Sequence, residues 1–339
     1  MQLAHGRKPA PMHARETRAD SVTTSTPASG ASSGSRLDWI LFILLGFLWG
    51  SSYLFIKIGV DAGLQPFTLV MLRLLIGLAL LGIVVAAARE PLPRDPRTYG
   101  HLAVMGLFSI ALPFSLITWA ERSVDSTLAA TLTAAVPLFV IPIAALLLRD
   151  ERMTPNRLAG VAIGFVGVAI LVGFDPGDLA GSDLAPELAL IGAALSYAIG
   201  GVYARRTMHG LRPMIPSVFQ VAFAFAMVSL LAFTFERPLD LPMRLDALFA
   251  VVWLGLLGSG VAYLVFFRLL GNWGATRTSL VAYLLPVYGI ALGAAVLGEP
   301  VDARLLGGTA LIIGGIALVN SRFGSRPLFR RREAAPSEG

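Results

Sequence analysis

Apolar residues gather in ten runs of about 20, and polar and charged residues are confined almost entirely to the segments between them. At 1.5 Å of rise per residue, a helix of about 20 residues crosses a hydrocarbon core of about 30 Å. The pattern therefore predicts ten transmembrane helices over 38–59, 66–88, 99–119, 127–148, 157–174, 186–204, 214–235, 246–270, 275–297 and 304–320. The predicted fold class is all-α: a polytopic membrane protein with no soluble domain of any size. Residues 1–36 form a polar tail whose Ser/Thr/Ala/Gly/Pro stretch from Ser21 to Ser35 has nothing to bury and is expected to be disordered. No short apolar core with a small-residue cleavage site is present, so the first run reads as an uncleaved span.

The joining segments are short, so the excess of Lys and Arg on the cytoplasmic side can be sought in all of them. With a cytoplasmic N-terminus, 21 such residues fall inside: five in the first tail, then Arg89, Arg94 and Arg97; Arg149, Arg152 and Arg157; Arg205, Arg206 and Arg212; Arg268 and Arg277; and five beyond the last span. Five fall outside, namely Lys57, Arg122, Arg237, Arg244 and Arg304. Both termini are expected in the cytoplasm.

Displacing the chain by 148 residues places Trp49 on Tyr197, Lys57 on Arg205, Glu151 on Glu299, Gly160 on Gly308 and Gly167 on Gly315; Pro137 meets Pro286 after one more residue. The period encloses five spans, an odd number, so the second copy enters the bilayer inverted. The expected organisation is a cytoplasmic tail (1–36), a first five-helix repeat (37–174), an outward acidic loop (175–185), a second five-helix repeat (186–320) and a basic cytoplasmic tail (321–339). Inverted repeats are a mark of alternating-access transporters, in which two halves of similar shape exchange roles around a midplane site.

Composition removes other classes. The chain of 339 residues is 55% apolar and 14% charged, against roughly a quarter charged in a soluble domain. Mean hydropathy is +0.72. A net charge of +6 would raise nucleic acid in a soluble protein; here the basic residues lie between apolar runs, facing anionic lipid, and no nucleic-acid partner is expected. Cysteine is absent and the four histidines are scattered, so neither a metal nor another cofactor is expected.

Local marks add a family. They are Trp49-Gly50-Ser51-Ser52 followed by Lys57, Pro66 with Arg73, and the block from Ala129-Ala130 through Pro137 to Glu151-Arg152-Met153-Thr154, then Gly160 and Gly167. The second half repeats the block as Ser279 through Pro286 to Gly298-Glu299-Pro300, then Gly308 and Gly315. In these features, over residues 38–320, the chain resembles the drug/metabolite transporter superfamily, specifically its ten-span metabolite exporters with two family domains. It departs from the pattern where Tyr197-Ala198 stands opposite Trp49-Gly50. The resemblance implies a bacterial inner-membrane carrier that moves small metabolites outward, most similar to exporters of amino acids, aromatic ones included. Relatives that move lipid-linked sugars or nucleotide-derived metabolites supply the alternative function, a flippase or carrier of that cargo.

Candidate substrate contacts are the aromatic and small polar residues of the central spans: Trp49, Ser52, Tyr53, Trp119, Thr131 and Thr133 in the first half, and Tyr197, Gln220, Tyr263, Ser279, Tyr283 and Tyr288 in the second. Packing explains each of them equally well. Arg73, seven residues into its span, could grip a substrate carboxylate as a bidentate fork, snorkel to the headgroups, or pair with Asp61 or Asp125. Lys57 and Arg205 are either snorkelling helix ends or a symmetry-related pair of gates, each paired with an acid when its own side is closed. Pro137 and Pro286 lie in mid-span, where a proline frees a carbonyl and bends the helix, as a hinge or a fixed kink. The glycine stripes of the fifth and tenth spans suit close helix packing, including contact between two copies of the chain.

No zinc signature, intramembrane aspartate pair or serine with a positioned base is present, so the chain is not expected to be an enzyme. No phosphate-binding glycine loop is present either. Carboxylates available for proton coupling are Glu121, Asp125, Glu151 and Glu299, all near span ends, and facilitated outflow and proton exchange both remain open.

Overall fold

The computed structural model describes residues 35–89, 92–148, 151, 153–173, 184–208, 214–238, 241–242 and 244–321. Both expected tails, apart from Ser35, Arg36 and Ser321, and the acidic loop through Asp183 lie outside the described residues.

Ten helices are long and apolar enough to cross a membrane: α1 (Arg36–Asp61), α2 (Pro66–Ala88), α3 (Pro96–Ala120), α4 (Ser126–Leu147), α5 (Pro155–Val172), α6 (Ala185–Thr207), α7 (Met214–Phe235), α8 (Leu245–Gly274), α9 (Ser279–Leu297) and α10 (Ala303–Asn320). No strand occurs among the described residues. The chain is a multi-pass membrane protein. Successive helices cross in alternate directions, so Ser35 and Ser321 lie at one face, here the termini face. Asp61, Glu121, Glu236 and Glu299 lie at the opposite, far face.

Several spans are not regular helices. α3 and α8, equivalent positions in the two halves, each contain a π-helical stretch, over Leu107–Ala111 and Trp253–Val261. Such stretches are concentrated at functional sites. α4 breaks at Ala134–Ala135, and its second piece starts at Val136 with Pro137 in the first turn. Pro137 therefore starts a helix segment instead of bending one from within, because a proline costs nothing where the N–H would be unbonded anyway. In α9 a 3-10 stretch over Ser279–Tyr283 precedes an α-helical piece from Leu284, which carries Pro286. The two prolines thus mark the same kind of discontinuity in both halves. α8 extends beyond its apolar run to Gly274, whose φ of 76° and ψ of 172° turn the chain toward α9.

The halves meet along α5 and α10. A Cβ at Gly160 would lie 2.5 Å from the Gly315 carbonyl oxygen, and one at Gly315 would lie 2.5 Å from that of Gly160; at Gly167 it would lie 2.7 Å from the Gly308 carbonyl. Only residues without a side chain let the backbones approach so closely. The ends follow suit. Arg304 at the start of α10 donates to the Ile170 and Leu171 carbonyls at the end of α5, and Asn156 at the start of α5 donates to Ser321 beyond α10. Each contact has its reciprocal, as a twofold relation between the halves requires.

Candidate functional site

The other eight helices enclose a cavity of about 560 Å³, to which α5 and α10 contribute nothing. Its walls are aromatic and apolar. Trp49 of α1 packs against Phe266 and Tyr263 of α8 at 5.4 and 6.3 Å between ring centroids, and Tyr263 stacks on Phe267 at 6.1 Å. Met105, Ser109, Phe114 and Ile117 of α3 face it, with Ala134 and Val136 at the break in α4. The cavity runs to the termini face, where Ala204, Met208 and Pro216 line it.

Of the residues anticipated from the sequence, Trp49, Ser52, Tyr53, Arg73, Thr133, Tyr197, Gln220 and Tyr263 line this one space, drawn from six helices. Five others lie elsewhere. Trp119 is 42% exposed on the outer surface. Thr131 is buried and spends its hydroxyl on the Thr127 carbonyl of its own helix, at 2.8 Å. Tyr283 accepts a hydrogen bond from Asn320 of α10, and Tyr288 packs on Phe47 and over Gly50 of α1. Ser279 is exposed at the start of the 3-10 stretch. The irregular winding of α9 turns these three positions away, and Ala282 and Leu285 line the cavity in their place. Apart from Ser109, the residues missing from the sequence-based set, Phe114, Phe266 and Phe267 above all, are apolar. Nothing in a run of apolar residues separates those facing a cavity from those facing lipid.

Among the described residues, Arg73 is the one charged group in the lining. It is 3% exposed. Its Nε donates to Ser259 Oγ at 3.2 Å, and its guanidinium lies 4.2 Å above the Phe114 ring. Neither Asp61 nor Asp125 pairs with it, and among the described residues it has no carboxylate partner. Gly258 keeps its surroundings open, since a Cβ there would lie 3.7 Å from the guanidinium and 3.0 Å from Ser52 Oγ. Gln220, also buried, lines the same space.

The far face is shut by side chains reaching between halves. Glu236, just past α7, accepts from the backbone N–H groups of Phe67 and Thr68 at 2.9 and 2.7 Å and from the Thr68 hydroxyl at 2.8 Å. Glu299, just past α9, accepts from the N–H groups of Ser126 and Thr127, both at 2.8 Å, and from the Ser126 hydroxyl at 3.1 Å. The first N–H groups of α2 and α4 have no partner within their helices, and neither Gln65 nor Asp125 caps them with its own side chain. Carboxylates from the other half do so, aided by the helix dipole. Lys57 donates to the Glu121 carbonyl at 2.9 Å and pairs with Asp61 at 3.4 Å, both contacts within the first half. At the termini face Glu151 pairs with Arg157 at 2.7 Å and with Arg205 at 2.6 Å. Arg205 is therefore paired although the cavity opens on its own side, which departs from the gate expected there.

Residues 37–173 and 184–321 each match the EamA-like transporter family. The chain is 24% identical to "Uncharacterized transporter YoaV" of Bacillus subtilis over 84% of its length and 97% of that protein's. It is 29% identical to "Uncharacterized inner membrane transporter YedA" of Escherichia coli K12, covering 81% and 88%. Identity to a "Probable amino-acid metabolite efflux pump" of Salmonella typhimurium is 27%, covering 83% and 94%. A solved crystal structure superposes with a TM-score of 0.60 at 24% identity over 85% of this chain and 97% of the other, which shows a shared fold. With two domains of one family joined in a single ten-helix membrane chain, the protein belongs to the EamA-like transporter family of the drug/metabolite transporter superfamily.

Proposed function

We propose that the protein exports small amphipathic metabolites, amino acids with apolar or aromatic side chains foremost, by alternating access. The observation that carries this is Arg73, a buried cation without a carboxylate partner among the described residues, set in a cavity with aromatic walls. A fixed guanidinium suits a carboxylate through paired N–H donors, while Trp49, Tyr263, Phe266 and Phe267 suit an apolar side chain. Gln220 offers a carbonyl to an ammonium group. A volume of about 560 Å³ lies in the range typical of small-molecule sites. The efflux pump of Salmonella typhimurium, similar over most of its length, points the same way.

The termini face is the cytoplasmic one in this proposal. Arg89, Arg94, Arg97, Arg157, Arg205, Arg206, Arg268 and Arg277 gather there, and their excess over the far face supports the orientation. Substrate enters from the cytoplasm through the open end; the open end then closes and the Glu236 and Glu299 clamps part.

Counterflow uptake of radiolabelled amino acids into liposomes containing the purified protein tests this. Saturable uptake of the aromatic set without a pH gradient is the expected result. In Arg73→Ala, uptake of a carboxylate-bearing substrate falls roughly 10- to 100-fold, the worth of a hydrogen-bonded charge at about 1.5–3 kcal/mol, and uptake of its amide falls less. Equal loss for both would remove the carboxylate role. No uptake of any amino acid by folded protein would transfer the assignment to lipid-linked or nucleotide-derived cargo.

A further inference from the structure

At the far face, one residue past the end of α3, Glu121 is 0% exposed, and neither carboxyl oxygen has a hydrogen-bond partner. Six described residues hold buried side-chain polar atoms left in this way, and three of them, Ser115, Thr118 and Glu121, follow one another at intervals of three along the last two turns of α3. Glu121 also continues the stripe of α3 that faces the cavity: Phe114 and Ile117 line the space, and Glu121 is seven residues past Phe114. That places the carboxyl roughly 10 Å further along the axis, behind the closed end.

The charged groups around it do not discharge it. From α1, Lys57 directs its ammonium to the Glu121 backbone carbonyl and pairs with Asp61; from α2, Arg73 is held by Ser259 and Phe114; Asp125 lies in the turn after α3; Glu299 is occupied by the first turn of α4. An ionised carboxylate without a partner is very costly to bury, and a group so placed takes a proton instead. Burial holds the Glu121 carboxyl well above the usual carboxylate range, with Lys57 and Arg73 opposing the rise and Glu299 and Asp61 adding to it.

We propose that Glu121 is a proton-binding site of the carrier, and that closing the far face takes up one proton on it. When the far face parts, Glu121 meets water, and its carboxyl returns toward the ordinary glutamate value of about 4.3. The group binds its proton more tightly in the closed state. Protons therefore favour closure, fully so below the open-state value, and this advantage is lost as pH rises through the closed-state value. This rests on the proposed alternating-access function.

The chain has no cysteine, so Arg122→Cys and Arg237→Cys, both exposed at the far face and in different halves, accept spin labels cleanly. Distances between the labels in liposome-reconstituted protein are measured from about pH 5 to 9, above the ordinary glutamate value. A short and a long population are expected, with the short-to-long ratio falling up to tenfold per pH unit within the titration range. Glu121→Gln, a permanently neutral side chain, holds the short population at every pH. A protonated-carboxyl infrared band present in the unsubstituted protein and missing in Glu121→Gln reports the proton itself. Two populations with the same pH dependence in both proteins, or none in either, would overturn the Glu121 site while leaving alternating access intact; a single population throughout would overturn both.

Discussion

The two faces of the bundle use glutamate at equivalent positions in different ways. Glu299 and Glu151 correspond under the 148-residue displacement, and each follows the helix that carries the proline discontinuity. At the far face Glu299 leaves its own half to bind the first turn of α4, and Glu236 does the same for α2. At the termini face Glu151 pairs with Arg157 of its own half and with Arg205 of the other, side chains and not a helix start, and the cavity opens at that face. Two halves of like sequence hold an asymmetric state because equivalent side chains have different partners. A carboxylate spanning to a buried helix start locks a face, whereas one bound to half-exposed arginines leaves it open.

Removing the locks tests this most severely. Glu236→Ala with Glu299→Ala discards six hydrogen bonds to ionised groups. At roughly 1.5–3 kcal/mol for a bond to a charged group, a net shift of about 3 kcal/mol or more is expected, over a hundredfold toward the far-open state. Label distances between positions 122 and 237 report it. A population that stays closed would assign the closure to apolar packing instead.

Lys57→Gln is expected to act less strongly. It loses one bond to a carbonyl and an ion pair with the half-exposed Asp61, which converts to roughly a tenfold shift at most. Unchanged transport in this variant, at equal surface level, would reduce Lys57 to a helix-end residue. The smallest effect belongs to Glu151→Gln. Its arginine partners are partly exposed, such pairs contribute about 0–1 kcal/mol, and the change in the ratio of short to long label distances should stay below about fivefold.

The faces should also differ in their response to acid. For Glu151, burial raises the carboxyl, but the bonds from Arg205 and Arg157 outweigh it and hold the group below the ordinary range. Its pairing is therefore present above the ordinary glutamate value of about 4.3 and lost only as pH falls through the lower, paired value. Carbon-13 shifts of the Glu151 carboxyl followed below pH 5 check this, with Arg205→Gln expected to raise the midpoint.

The ten spans were legible because hydropathy is a property of every residue in a run, and the repeat because Glu151/Glu299 and Gly160/Gly308 fall in register. Arg73 and most of the aromatic lining were legible for a related reason: polar or amphipathic residues deep in a span need an explanation. The clamps were not. Glu236 looks like an ordinary loop acid, and its partners are backbone N–H groups 168 and 169 residues away that carry no signature of their own. Tyr283 and Tyr288 were chosen as aromatic residues of a central span, and residue type alone does not tell which side of the helix faces the cavity; Tyr283 meets Asn320 and Tyr288 packs on Phe47. Glu121 was visible as a span-end carboxylate, but its isolation from every donor is a matter of three-dimensional packing.

The glycine contact between α5 and α10 has a consequence for how such a chain could arise. Gly160 on Gly315 and Gly167 on Gly308, with Arg304 and Asn156 at the two ends, form a self-matching surface. Two separate half-length polypeptides, inserted in opposite senses, could meet through that same surface. Joined in one chain, the halves hold this surface as an internal seam, while the clamping acids, lying elsewhere, take different partners in the two halves.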